Sequence, residues 1–121
     1  MPAYRFGVWL AHLVRKDYEL LYADRRFRNT ADQLLRAVEA ISSNLSEGYG
    51  RSTGKERARY YDYAQATTRE ARDWYFKARE ILGDDVVEQR LKVLERIIRI
   101  LAVVVPRERA SGTRRAPKHG R

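Results

Sequence analysis

The chain has no cysteine, which excludes disulfides, thiolate metal sites and cysteine nucleophiles together. A secreted scaffold stapled by disulfides gains no support. Proline is scarce: it stands at positions 2, 106 and 117, so nothing between residues 3 and 105 is proline-broken. β-branched runs are rare in that stretch and Asn-Gly and Asp-Gly pairs are missing, so no hairpin is signalled. No apolar run approaches the ~18–20 residues of a membrane span. Arg15, Lys16 and Asp17 interrupt the apolar character of the N-terminal segment, which lacks the layout of a signal peptide. The expectation is a soluble, cytoplasmic protein without membrane contact. Histidine is limited to His12 and His119, and no Glu-x-x-His motif pairs with either. No Ser-His-Asp set can be assembled. The reading is therefore non-enzymatic, with no metal and no cofactor.

What the chain does contain is helical periodicity. Its 121 residues support one domain, and an apolar fraction of 44% excludes wholesale disorder. The first predicted helix runs from about Ala3 to Arg25, with a stripe at Leu10, Val14, Tyr18 and Leu21. A polar bend, Asp24 to Asn29, follows. Thr30 with Gln33 forms a capping box for the second helix, whose stripe is Leu34, Val38, Ile41, Leu45 and Gly48. Gly48 and Gly50 close it. Thr53 with Glu56 forms another capping box. The third helix carries Tyr60, Ala64, Thr67, Ala71, Trp74, Ala78 and Ile81 at heptad spacing. Gly83 ends it, and Asp84 or Asp85 caps the fourth. There Val87, Leu91, Leu94, Ile98, Leu101 and Val105 make the main stripe. Short links and a 3.5-residue period specify an all-α, antiparallel up-down four-helix bundle over residues 1–105. Residues 106–121 read as a basic, disordered tail.

The fourth helix carries a second stripe, Val93, Ile97, Ile100 and Val104. One stripe suffices for a four-helix core. The surplus face either meets another copy of the chain, as an oligomer interface, or lies deep inside a monomer.

Charge is lopsided. There are 25 Lys plus Arg against 16 Asp plus Glu, for a net +9, and 20 of the 25 are arginine. Arginine is the better fork for phosphate and the better stacking partner for bases. From Pro106 onward six cations face only Glu108, a net +5, which leaves +4 for residues 1–105. Nucleic acid or another polyanion is the implied partner, with a solvated surface as the alternative.

Some motif matches fail on inspection. Gly48 to Lys55 looks like a phosphate loop, but the required first glycine is Tyr49, the residue after Lys55 is Glu56, and both flanking elements are helices. A dinucleotide fingerprint would place its third glycine at Thr53. The sequon Asn44-Leu45-Ser46 lies inside a predicted helix. More informative is the second seam of helix two: Ala37, Ala40, Asn44, Glu47 and Arg51. Small residues give way to three polar groups. Asn44, Glu47 and Arg51 read as a buried structural clamp at the corner between helices two and three. The alternative has Arg51 facing a ligand phosphate.

The segment Ile41-Ser42-Ser43-Asn44-Leu45-Ser46-Glu47-Gly48-Tyr49-Gly50-Arg51 resembles the signature of the rRNA intervening-sequence proteins, usually Ser-Ile-x-Ser-Asn-Ile-Ala-Glu-Gly-x-x-Arg. Val8-Trp9, Gln33 with Arg36 and Ala37, and the aromatic start of helix three are similar too, so the likeness spans roughly residues 6–105. Ser46 replaces the usual alanine, and the usual proline near Ser43 is absent. The resemblance implies a four-helix bundle assembled as a ring-like homopentamer. The same architecture serves as the accessory variability determinant of diversity-generating retroelements, a basic pentamer that binds nucleic acid and its reverse transcriptase. Five chains of +9 would total +45, a large field.

Charge and resemblance together favour a homo-oligomeric, electrostatic binder of RNA or DNA, extending to a reverse-transcriptase accessory subunit. The alternative is a structural or regulatory scaffold with a protein partner. Phosphate contact falls to Arg51, Lys55, Arg57 and Arg59 at the corner, to Arg69 and Arg72 on helix three, and to Arg107, Arg109, Arg114, Arg115 and Lys118 in the tail. Tyr61, Tyr63 and Tyr75 stack bases if exposed and pack at helix boundaries if not.

Overall fold

The structure is a computed structural model, and it describes residues 1–111. Every element among those residues is a helix, with no strand: α1 (Pro2–Tyr22), a 3-10 turn (Arg25–Phe27), α2 (Arg28–Tyr49), α3 (Gly54–Lys77), a single-turn α4 (Arg79–Leu82) and α5 (Asp84–Ser111). Proline in the first turn of α1 costs no hydrogen bond there. Thr53 caps α3 as expected: its backbone is extended and its hydroxyl accepts the Glu56 N–H at 3.2 Å. Gly83, at φ +88°, makes the left-handed joint into α5. Asp84 and Asp85 fall inside the first turn of α5, where the helix dipole favours them.

Several local expectations are corrected. Thr30 is not a cap, because α2 begins two residues earlier at Arg28 without a side-chain cap. The stop signal lies upstream, where Asp24 Oδ1 accepts the Arg26 N–H at 3.0 Å and the carboxylate also pairs with the Arg26 guanidinium at 2.9 Å. Gly50 ends α2 in right-handed geometry and needs no glycine for its φ. The buried seam of α3 is Tyr61, Ala64, Thr68, Ala71 and Tyr75, rotated from the expected seam, and Tyr60, Thr67 and Trp74 are only half-buried. The phenol rings pack inward and the larger indole takes the boundary, with Lys77 Nζ over it at 4.5 Å.

The boundary at 105 is also corrected. α5 continues through Pro106 to Ser111. An interior proline removes a hydrogen bond and costs ~3 kcal/mol or more. Contacts with α3 hold the last turn in place despite it. Arg57 Nη2 meets Glu108 Oε1 at 2.9 Å, and Arg109 pairs with Asp62. Gly54 lies so close to Ser111 and the Glu108 carbonyl that a Cβ there would overlap both.

The long helices contact in the order α1 on α2, α2 on α3 and α3 on α5, with α5 returning to α1. Gly7 of α1 lies against Ile41 and Ser42, while Tyr18, eleven residues on, donates to Asp32 at 2.9 Å. Along α3 and α5, Arg57 faces Glu108, Gln65 donates to the Ile98 carbonyl at 3.3 Å and Arg72 faces Glu95 at 3.6 Å. The core is built from Leu10, Val14, Leu34, Val38, Ile41, Leu94, Ile97 and Leu101, with Tyr61 and Tyr75.

The second stripe of the last helix does not survive as a surplus face. Val93 and Ile97 are buried within the single chain, and Ile100 and Val104 are half-buried. α5 carries a wide apolar stripe because it faces both α3 and α1. The exposed apolar side chains are others: Trp9 and Leu20 on α1, Phe76 on α3 and Val103 on α5.

Candidate nucleic-acid interface

One end of the molecule gathers the start of α1, the end of α2, the start of α3 and the end of α5. Met1 and Tyr4 lie beside Leu45 and Tyr49, Gly48 lies against Tyr60 and Tyr61, and Gly54 lies against Ser111. Gly48 permits the α2–α3 approach, since a Cβ there would be 2.7 Å from the Tyr61 ring. α5 ends here, at Ser111. Beyond Ser111 the sequence carries four cations and no carboxylate, a net +4.

The proposed phosphate contacts divide sharply. Arg57 is not one of them: it is buried, with Nε 3.0 Å from Glu108 Oε1 and Nη1 3.3 Å from the Arg51 carbonyl. Its charge is spent on holding α5 against α3. Arg51 is likewise engaged. Its Nη2 lies 2.6 Å from Glu47 Oε2 and 2.9 Å from the Tyr60 hydroxyl, and its guanidinium sits 4.7 Å over the Tyr60 ring. Its Nε is buried without an acceptor among the described residues. Arg59 donates to the Tyr63 hydroxyl at 2.9 Å, Arg72 faces Glu95, and Arg109 pairs with Asp62. Lys55, Arg69 and Arg107 are exposed and have no ion pair among the described residues. Lys55 and Arg107 each adjoin a residue of the Gly54–Glu108 contact, so the two exposed cations flank one seam. Arg114, Arg115 and Lys118 lie outside the described residues.

The clamp is partly corrected. The Glu47–Arg51 pair forms, but the Glu47 side chain is 53% exposed and Asn44 is only half-buried. A pair at this exposure contributes ~0.2–0.5 kcal/mol, less than a buried clamp would. Tyr61 and Tyr75 cannot stack bases, being 2% and 0% exposed. Burial pushes the Tyr61 hydroxyl up to about 12. Tyr63 is exposed and meets Tyr60 edge-on at 5.5 Å.

Two neighbouring clefts at the same end were not foreseen from sequence. One, of about 310 Å³, is lined by Met1, Tyr4, Leu45, Ser46 and Tyr49. The other, of about 430 Å³, is lined by Ser43, Ser46, Glu47, Gly50 and Arg51. They share Ser46.

Far from this end lies a buried ionic network. Arg90 grips Asp17 with two bonds, Nε to Oδ2 at 2.8 Å and Nη2 to Oδ1 at 3.0 Å. The Tyr75 hydroxyl donates to the same carboxylate at 2.6 Å. Burial, then Asp17, holds the Tyr75 hydroxyl far above its ordinary value. The Asp17 hydrogen bond raises Arg90 as well. The network joins α1, α3 and α5. A signal for it existed: Asp17 stands between Val14 and Leu21, and Arg90 between Val87 and Leu94, each in core register.

No helix among the described residues is long and apolar enough to cross a membrane. A search of curated proteins returned no match. The fold is similar to the crystal structure of a protein of unknown function from the S23 ribosomal protein family of Bacteroides thetaiotaomicron. The TM-score is 0.80 at 15% identity, over 85% of this chain and 97% of that one. The Ile41–Arg51 signature, whose Gly48 seats the Tyr61 ring, falls inside the stretch matched by the 23S rRNA-intervening sequence protein family, residues 10–103, and this chain belongs to that family.

Proposed function

We propose that this chain is a non-enzymatic nucleic-acid-binding protein, an up-down four-helix bundle that works as a homo-oligomer and holds its ligand by phosphate contact. The carrying observation is at the end where α5 stops: Lys55 and Arg107 are exposed there with no ion pair among the described residues, and the sequence after Ser111 carries four cations and no carboxylate. Among the described residues, nothing at that end has the side-chain layout of base-specific readout, so the contacts position a backbone and carry little sequence information. Association between copies is supported by Trp9, Leu20 and Val103, exposed apolar side chains on the first and last helices.

Counterion release sets the test. Log affinity falls linearly with log salt, with a slope of about −0.9 per phosphate neutralised on duplex DNA. Lys55→Gln with Arg107→Gln should therefore flatten the slope by about two contacts, equally on unrelated sequences. Failure to bind mixed RNA and DNA at ~150 mM salt, up to tens of micromolar, would retire the reading in favour of a scaffold with a protein partner. Light scattering checks the assembly: several times 14.2 kDa is expected, with five copies favoured, and a monomer at micromolar concentration refutes it.

A further inference from the structure

Phosphate contact explains affinity for any nucleic acid, duplex or single-stranded. The paired clefts at the basic end are more selective in their chemistry. In the smaller one Leu45 forms a buried floor, and Tyr4 and Tyr49, 42% and 58% exposed, stand at the sides with Met1. Exposed aromatic rings around an apolar recess suit a planar π-system. At about 310 Å³ the recess sits at the low end of ligand sites, ~300–1,000 Å³, large enough for one ring system and too small for a folded domain's edge. Every nucleobase has a π-face, so such a platform accepts any base that is unstacked from its neighbours. A base inside a duplex cannot enter.

Across Ser46 the second recess has different chemistry. Its one cation, Arg51, is already committed to Glu47 and the Tyr60 hydroxyl, so it offers a phosphate little. What remains is the second oxygen of the Glu47 carboxylate, Oε1, and the hydroxyls of Ser43 and Ser46. Those groups match a sugar hydroxyl, which both donates and accepts. The 2′-hydroxyl is the group that separates RNA from DNA. The spacing of the two recesses is that of neighbours sharing a wall, as base and sugar of one nucleotide require. Lys55 and Arg107 are exposed cations at the same end of the molecule.

We infer that the Tyr4–Tyr49 cleft and the adjoining Ser43–Glu47 recess hold one unpaired ribonucleotide of a single-stranded RNA, base in the first and ribose in the second. This rests on the nucleic-acid reading above and narrows it to a strand state and a sugar.

The experiment compares a short single-stranded RNA, the DNA of the same sequence and an RNA duplex, by anisotropy at fixed salt on the full chain. Tyr49→Ala and Tyr4→Ala should each weaken single-stranded RNA binding about tenfold, the effect of losing one base stack. Duplex binding should stay unchanged, and Tyr49→Phe should keep the parent affinity. A 2-aminopurine in the RNA should be quenched by the parent and not by Tyr49→Ala. Single-stranded RNA should bind more tightly than DNA, and Ser43→Ala with Ser46→Ala should narrow that gap. Thermal melts of each variant separate lost binding from lost folding. Equal loss on the duplex, or no loss on the single strand, overturns the inference while leaving phosphate binding intact. Equal affinity for RNA and DNA overturns the ribose assignment. A Tyr49→Ala chain with parental melting but reduced assembly mass shows that a second copy covers the cleft, which also overturns it. Absence of all binding removes the parent reading and this one together.

Discussion

Asp17 is the residue whose loss should damage the fold most for its size. It is buried, takes two hydrogen bonds from Arg90 at 2.8 and 3.0 Å, and takes one from Tyr75 at 2.6 Å. In Asp17→Ala the Arg90 guanidinium stays inside without a counter-charge. Breaking one side of a buried pair costs ~3–5 kcal/mol. The orphaned Tyr75 hydroxyl adds part of the ~1–3 kcal/mol of an unsatisfied buried donor, and the two losses overlap because they share one carboxylate. A total near ~4 kcal/mol is a large share of the ~5–15 kcal/mol that holds a domain together. At ~4 °C per kcal/mol for a chain of this length, the midpoint should fall by about 15 °C. Circular dichroism melts and urea titrations read this directly. Glu80→Ala is the control, since it breaks only the exposed 3.0 Å pair with Arg26 and should change stability by less than ~1 kcal/mol. The apolar triple variant, Asp17→Leu with Tyr75→Phe and Arg90→Met, should recover most of the loss, because the penalty comes from the orphaned charge. An Asp17→Ala midpoint within ~2 °C of the parent would refute the reasoning, as would a triple variant no better than the single one.

Gly54→Ala should undock the last turn of α5, because the added methyl meets the Glu108 carbonyl and Ser111. The expected cost is ~1–3 kcal/mol, visible in melts together with faster amide exchange over 106–111. At high pH, stability should fall from about pH 10 toward pH 12. The folded Tyr61 hydroxyl is held up to about 12 while the unfolded one ionises near its ordinary 10, so the unfolded state releases its proton first. The contribution is fully present below pH 10, and Tyr61→Phe should shrink the alkaline loss measured by pH-jump melts.

How much of this was legible in the chain varies with the distance over which each residue's fate is decided. The helix at Thr53 was readable because its cap acts across three residues. Pro106 was misread because its fate depends on Arg57 and Gly54, some fifty positions away. Tyr60 and Tyr61 compete for the same quarter-turn of α3, and only the space above Gly48 decides that Tyr61 goes in. Val93 and Ile97 looked like an interface because the breadth of the groove between α1 and α3 is a tertiary fact. At the candidate site, residue type marked a corner but could not tell Arg57, held by a carboxylate, from Lys55, which has no ion pair among the described residues. The Tyr4–Tyr49 cleft joins residues from opposite ends of a helix pair and left no local trace.

The partners in the buried network lie 58 and 73 residues apart along the chain. The α1–α2 and α2–α3 contacts, by contrast, join helices that follow one another directly. Loop closure makes the adjacent pairs the cheaper ones to form, so three helices can dock in order while the last still searches. Only when α5 swings back to α1 can Arg90 find Asp17, and that step takes two ions out of water together. The pairing therefore belongs to the late, native side of the folding barrier. Removing it should raise the unfolding rate and leave the refolding rate nearly unmoved, so that the network acts as a kinetic lock on the docking of the last helix against the first.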